Sequence, residues 1–149
     1  MAAITHRRSE RGAELVEFAL VFPLLLLVLF GIMDFGLLFQ RYETVTNAAR
    51  EGARIAVLPG YAQADVQARV NQYLAVAGLT ATPTVAYTAP QALPVGGACV
   101  TITGVTVGYP HQYLFIGTIP TLFGGSAFTT TTLNATARMR YEGAAAACP

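Results

Sequence analysis

The longest hydrophobic run in the chain lies near its N-terminus. Phe18–Met33 contains sixteen residues without a charged or polar side chain, and Phe35–Phe39 continues the run after Asp34. As a helix, residues 18–39 would rise about 33 Å, which is enough to cross the roughly 30 Å hydrocarbon core of a bilayer. The pattern therefore predicts a transmembrane helix over residues 13–40.

Beyond residue 40 the helical pattern changes from continuously apolar to amphipathic. One face carries apolar, mostly small residues at helical spacing: Val45, Ala48, Ala49, Gly52, Ile55 and Ala56. We expect one helix to begin near Ala13 and to continue through residues 41–58, where Pro59 and Gly60 end it. This face is expected to pack against the protein's own sheet, with contact to a partner protein as the alternative.

A second amphipathic helix is predicted over residues 62–77. Gly78 stands where a left-handed residue commonly ends a helix, and the apolar face consists of Val66, Val70, Tyr73, Leu74 and Ala77. Residues 83–142 then change to the two-residue period of β-strands. The predicted fold class is α+β, with a long N-terminal transmembrane and amphipathic helix, a second helix and a small antiparallel sheet of three or four strands.

Three strands can be placed within this sheet region. The first covers Thr84–Thr88, and a loop follows at Pro90–Gly97, where proline and glycine recur. The second covers Cys99–Val107. A β-bulge at Gly104 would place its apolar residues on one face, namely Val100, Ile102, Val105 and Val107. The third strand runs over Leu133–Tyr141, where apolar and polar residues alternate.

The segment Tyr109–Gly125 is apolar but is interrupted by glycine and proline. It is too short and too broken to span a bilayer. Two interpretations remain open. The segment covers an edge of the sheet, or it forms an exposed apolar patch that meets the membrane surface or another protein.

A short basic segment precedes the apolar run. Residues 7–11 include three arginines and stand directly before Gly12, and Glu17 is the fifth residue counted from Ala13. A carboxylate at the edge of an apolar run costs about 1–3 kcal/mol unless a cation pairs with it. This arrangement resembles the prepilin-peptidase site of the type IV pilin superfamily. The resemblance implies that residues 1–12 are a leader, removed by cleavage between Gly12 and Ala13.

A longer stretch resembles one family within that superfamily. Glu17-Phe18 is followed by ALVFP and a leucine run, then by GIMDFG at residues 31–36 and NAAREGAR at residues 47–54. In this order and at this spacing, the segments are similar to the TadE-like family, minor pseudopilins of tight-adherence (Flp-type) pilus systems. The similarity covers residues 11–57 and, more loosely, residues 137–142. The phenylalanine after the glutamate is a departure, because related short pilins of such systems often carry tyrosine there.

The resemblance implies a pilin-like, single-pass protein of the bacterial cytoplasmic (inner) membrane. Its N-terminus would be cytoplasmic, and residues 41–149 would form an extracytoplasmic domain that enters the pilus after cleavage. The implied partners are prepilin peptidase, other pilins or pseudopilins, the inner-membrane assembly platform and membrane lipid. Glu17 is expected to neutralise the new amine of Ala13 on a neighbouring subunit, and Phe18 is expected to take part in the same helix packing.

Two further residues of the apolar run are expected to affect helix packing. Pro23 removes one backbone hydrogen bond and tends to kink the helix. Asp34 either pairs with another helix or lies near the outer interface of the membrane. Outside the run, Cys99 and Cys148 could form a disulfide that closes a loop of about 50 residues, worth roughly 4 kcal/mol, with two unpaired thiols as the alternative.

Composition narrows the classes of function. The net charge of +1, without a basic stripe, argues against nucleic-acid binding, and the absence of lysine excludes lysine Schiff-base chemistry. His6 and His111 are solitary, so we expect no metal site. Only two serines occur, Ser9 and Ser126, and no catalytic constellation is visible, so we expect no cofactor and no enzymatic activity. An ordinary cleaved signal peptide is disfavoured because its apolar stretch is typically 7–15 residues long.

Two other functions remain open. One is a pseudopilin of a type II secretion or competence system, against which the AAREGAR sequence at residues 48–54 argues. The other is a bitopic membrane protein whose extracytoplasmic domain binds a ligand or partner without any filament. The second predicts an uncleaved N-terminus.

Overall fold

A computed structural model describes residues 6–96 and 98–141 of the 149-residue chain. Its elements are, in order, α1 (His6–Ala56), α2 (Gln63–Val76), β1 (Thr84–Val95), β2 (Ala98–Gln112), a 3-10 helix (Ile116–Phe123) and β3 (Thr130–Arg140). The strands form an antiparallel sheet in the order β1-β2-β3. The predicted α+β class, with a long N-terminal helix, a second helix and a small antiparallel sheet, is confirmed.

α1 is a continuous helix of 51 residues. It begins at His6, before the predicted start near Ala13, because the intervening residues include helix-favouring arginine and glutamate, and one internal glycine costs only about 1 kcal/mol. The helix continues through Pro23 and ends at Ala56. Residues 1–5 lie outside the described part of the chain, and the predicted domain boundaries after residues 12 and 40 stay predictions.

α2 agrees with the helix predicted over residues 62–77. Its buried residues belong to the predicted apolar face and are Val66, Val70 and Leu74. Tyr73 is half-buried, whereas Ala77 is exposed. The Asp65 carboxylate accepts a hydrogen bond from the backbone N–H of Ala62 at 2.8 Å, which stabilises the start of the helix. Gly78 ends it with a φ of 78°, as predicted.

The β-bulge of the sheet lies in β1 rather than at Gly104. β2 pairs with β3 without interruption over Ile102–Gln112, whereas the pairing of β1 with β2 shifts after Thr88. Pro90 explains this position, because proline has no amide hydrogen to donate to the ladder. At the bulge, the hydroxyl of Thr103 donates a hydrogen bond to the carbonyl oxygen of Thr88 at 2.7 Å.

Because β2 has no bulge, its core-facing residues keep one parity along the strand. They are Thr101, Thr103, Val105, Val107, Tyr109 and His111. Val100 and Ile102 are half-buried and have the opposite parity. The prediction that they share a face with Val105 and Val107 is therefore wrong. The alternation predicted for the third strand is confirmed from Leu133 to Met139.

β1 extends further than predicted. It continues to Val95 and pairs with β2 through Leu93 and Val95, so most of the predicted loop at Pro90–Gly97 is strand. β1 is an edge strand, where proline is tolerated because the missing amide hydrogen can face solvent. Gly96 follows the strand with a φ of 59°, a left-handed conformation that glycine adopts at little cost.

The core lies between the C-terminal part of α1, α2 and the sheet. Its α1 residues are Val45, Ala48, Ala49, Gly52, Ala53 and Ala56, with Ile55 half-buried. The expectation that this face packs against the protein's own sheet is confirmed. Gly52 permits the close approach, because an added Cβ would lie 2.7 Å from Val70 Cγ2 and 3.3 Å from Val105 Cγ1.

A salt bridge joins α1 to α2 at the edge of this core. Arg69 contacts Glu51 Oε1 through Nη2 at 2.6 Å and through Nε at 3.0 Å. Arg54 contacts Glu51 Oε2 at 3.2 Å. The hydrogen bond from Arg69 is the main reason that the pKa of Glu51 lies below its ordinary value, since it favours the charged carboxylate.

Candidate functional site

The apolar segment of α1, residues 12–39, is the candidate interaction surface. It contains a stretch long and apolar enough to cross a membrane, with a mean hydropathy of 2.7. Many of its large side chains are at least 40% exposed: Leu15, Val16, Phe18, Leu20, Val21, Phe22, Leu24, Leu25, Leu27, Val28, Leu29, Ile32, Met33, Phe35 and Phe39. So large an apolar surface is unfavourable in water, and it therefore requires lipid or neighbouring helices.

The residues predicted for processing and for pairing with a neighbouring subunit lie together at the start of this surface. Gly12, Ala13 and Glu17 are exposed on the helix, and an added Cβ at Gly12 would meet no atom within 4 Å. No side chain that the structure describes pairs with Glu17. Phe18 stacks on Phe22 of the same helix, with ring centroids 5.1 Å apart. Glu17 is therefore available to a group from outside this chain.

Asp34 is buried, with 1% of its surface exposed, and its partners come from the chain's own segment after β2. Its Oδ1 accepts a hydrogen bond from the backbone N–H of Leu114 at 2.9 Å. Its Oδ2 accepts from the backbone N–H of Phe115 at 2.9 Å and of Ile116 at 2.7 Å. These amides open the 3-10 helix, where N–H groups lack partners within the helix and attract a negative charge. Asp34 thus fastens this segment to α1.

The sequence left two alternatives for Asp34, a partner on another helix or a position near the outer interface of the membrane. In the structure its partners are instead backbone amides of the same chain. The carboxylate accepts its hydrogen bonds from residues that lie about 80 positions further along the chain. Two sequence signals point to such a contact: a lone carboxylate in an apolar run, and a later apolar segment without any charge. Neither signal shows that the two segments contact each other, because neither contains a periodic pattern that indicates what it packs against.

A second polar contact lies nearby, at the C-terminal end of the apolar segment. Arg41 Nη1 lies 3.3 Å from Nδ1 of His111, which is 1% exposed. The Nε2 atom of His111 has no hydrogen-bond partner among the described residues. Burial lowers the pKa of His111, since the charged form is poorly solvated, and Arg41 lowers it further, whereas Asp34 acts in the opposite direction. The histidine is therefore held neutral beside the arginine.

The segment between β2 and β3 lies along α1 and leaves an apolar groove on each side. The ring of Phe115 stacks on that of Phe30 with centroids 4.7 Å apart. The larger groove, about 710 Å³, is lined by Leu27, Val28, Gly31, Ile32, Phe35, Gly36, Phe39, Ile116, Ile119, Pro120 and Phe128. The smaller, about 470 Å³, is lined by Pro23, Leu26, Leu27, Phe30, Leu114, Phe115, Thr118 and Ile119.

The segment Tyr109–Gly125 therefore divides between two roles. Residues up to Gln112 belong to β2, and the rest packs on the apolar segment of α1 rather than on an edge of the sheet. Cys99 lies in β2 and is not a free thiol. Cys148 lies outside the described residues, so the pairing of the two cysteines stays a prediction.

Comparison with known families adds one finding. The family model described as TadE-like protein matches residues 12–54, a stretch that begins in the apolar segment and ends within the core-facing part of α1. This match confirms the resemblance inferred for the N-terminal stretch, residues 11–57, whereas the looser similarity over residues 137–142 lies outside the match. α2 and the sheet lie outside the matched residues. No curated protein and no solved structure matches the chain.

Proposed function

We propose that this chain, which the TadE-like family model matches over residues 12–54, is a minor pseudopilin of a tight-adherence pilus system. Prepilin peptidase cleaves it between Gly12 and Ala13 at the cytoplasmic face of the inner membrane. The mature subunit then joins the base or tip of the pilus through α1. The family match by itself supports the coarser statement that the chain is associated with a Tad pilus.

The division of α1 into two parts is the observation that carries this proposal. The C-terminal part is buried in the core with α2 and the sheet, which holds the helix rigidly to its domain. The apolar segment, residues 12–39, exposes uncharged side chains on most of its circumference. Such a surface suits a membrane before assembly and neighbouring helices afterwards, since both environments are apolar.

Glu17 supplies the specificity of the assembled state. Cleavage before Ala13 creates an amine that lies four residues from Glu17, about 6 Å along the helix axis. If the neighbouring subunit is shifted along the pilus by about 6 Å, the Ala13 amine of that subunit lies level with the Glu17 carboxylate of the first. A buried carboxylate and ammonium are each costly alone, and pairing them offsets much of the cost. The pair therefore favours one register between adjacent helices.

The orientation follows from the same scheme. Residues 1–12 lie in the cytoplasm, residues 13–40 cross the inner membrane, and the domain from residue 41 onward is extracytoplasmic. Its partners are prepilin peptidase, the assembly platform of the inner membrane and other pilins or pseudopilins of the same system. In this scheme the chain has a structural role and no catalytic one.

Mass spectrometry of the membrane-extracted protein tests the processing step. We expect a mature chain that begins at Ala13 in cells with the peptidase and an intact chain in cells that lack it. An intact N-terminus in both strains would favour the alternative, a bitopic membrane protein that joins no filament.

A pair of matched variants tests the role of Glu17. Glu14 is also exposed, on the same helix one turn earlier, and it serves as the control. We expect Glu17→Gln to reduce the number of surface pili strongly at equal protein levels, whereas Glu14→Gln leaves it near that of the wild type. Equal pilus numbers in both variants would contradict the pairing of Glu17 with the neighbouring amine.

A further inference from the structure

The excursion between β2 and β3, Tyr113–Phe128, contains no charged residue and no histidine. It leaves the sheet beside Arg41 and lies along the apolar segment of α1, where the ring of Phe115 stacks on that of Phe30. Two of its large apolar side chains face outward, Leu114 at 58% and Phe128 at 48% exposure. Its polar side chains are all hydroxyls, so no charged side chain of the excursion has to be kept in water.

Several polar groups of the excursion have hydrogen-bond partners within the protein. Asp34 accepts hydrogen bonds from three consecutive amides at its start. At its end, the N–H of Phe128 donates to the carbonyl oxygen of Gly117 at 3.1 Å. The hydroxyls of Thr118 and Thr121 donate to the carbonyl oxygens of Phe115 and Thr118. Each of these bonds lowers the cost of placing the non-helical backbone at membrane depth, where water is not available as a partner.

The position of the excursion along α1 sets its depth. The larger groove extends from Leu27 to Phe39, a rise of about 18 Å on the helix axis. If α1 crosses the bilayer with residues 18–39 in the hydrocarbon core, this rise occupies the half nearest to the sheet. Arg41 marks the polar boundary just beyond it, because it is the first charged residue after Asp34.

We propose that Tyr113–Phe128 is embedded in the membrane leaflet nearest to the sheet and that lipid acyl chains fill the larger groove. Lipid is the occupant because the groove is continuous with the exposed apolar surface of α1, and every residue that lines it is apolar or glycine. This arrangement requires only that α1 spans a bilayer. It holds whether or not the chain enters a pilus.

Single-tryptophan variants of the full chain test this inference, because the natural sequence contains no tryptophan. Leu114→Trp and Phe128→Trp place the probe on the excursion. Phe35→Trp is the control within the groove, and Val76→Trp, at an 85% exposed position on α2, is the control in water. Each variant is reconstituted into vesicles of phosphatidylcholine and phosphatidylglycerol, with and without bromine on the acyl chains.

We expect Leu114→Trp and Phe128→Trp to show blue-shifted emission and to lose intensity in brominated lipid as strongly as Phe35→Trp. Val76→Trp should keep its emission in both lipids. Excursion probes that behave like Val76→Trp would overturn the inference, and so would a blue shift without bromine quenching, which indicates cover by a second copy. This experiment does not measure pili. A negative result would therefore overturn the membrane embedding of the excursion without deciding whether the chain is a pseudopilin, which the processing and Glu17 experiments test.

Discussion

The contact of Asp34 with the excursion leads to the most direct prediction of the structure. Asp34→Ala removes the acceptor for three backbone amides, those of Leu114, Phe115 and Ile116. A hydrogen bond to a charged group contributes about 1.5–3 kcal/mol. The three do not add fully, because one carboxylate accepts them all and its own burial is costly. We expect the excursion to open more easily by about 3–4 kcal/mol, with the rest of the fold retained.

Amide hydrogen exchange in lipid or detergent measures this change at the residues concerned. A loss of about 3–4 kcal/mol corresponds to exchange roughly 10²–10³ times faster at the amides of residues 114–116. Amides of β3 pair with β2 away from Asp34 and should exchange as in the wild type. Asp34→Asn is the matched control, since it keeps one acceptor oxygen in the same shape and should lose less protection.

Two results would refute this reasoning. Unchanged exchange at residues 114–116 in Asp34→Ala would mean that packing, such as the stack of Phe115 on Phe30, holds the excursion by itself. Loss of protection spread evenly over the sheet would mean that Asp34 supports the whole domain rather than this one segment.

Three further predictions concern the domain. Gly52→Ala should lower the free energy of unfolding by about 1–2 kcal/mol in a denaturant titration, because overpacking against Val70 exceeds the gain in helix propensity. Since the pKa of His111 is lowered by burial, stability should be complete above about pH 6.5 and should fall as the pH drops below that value, a slope that His111→Gln removes in thermal melts. Glu51→Gln should cost about 1 kcal/mol at neutral pH and reduce the loss of stability below about pH 4.5, because the Arg69-paired carboxylate titrates with a lowered pKa.

Matched variants control these predictions. Gly31→Ala lies on the same helix with nothing within 4 Å of the added Cβ, and it should leave stability unchanged or raise it slightly. Glu43→Gln removes an exposed carboxylate of α1 and should have little effect. Equal effects of Gly52→Ala and Gly31→Ala would contradict the close approach of α1 and α2. A pH slope near 6.5 that persists in His111→Gln would assign that slope to another group.

Local periodicity was sufficient for most of the elements. The apolar run and its amphipathic continuation identify α1, the spacing in α2 identifies its buried face, and Gly78 marks its end, because each depends on residues within a few turns of one another. The alternation of β3 likewise predicts its buried face. The resemblance to the TadE-like family also rests on one contiguous stretch, residues 12–54.

Tertiary structure alone decided the features that depend on pairing between distant residues. The bulge lies beside Pro90 instead of at Gly104, because the register of a ladder is a property of two strands together. Asp34 meets amides about 80 residues away, a contact that no periodicity encodes. The sequence by itself determined which segments are helical, extended or apolar. The tertiary structure decided which buried polar groups form hydrogen bonds with one another, because the topology of the chain determines which distant residues come together.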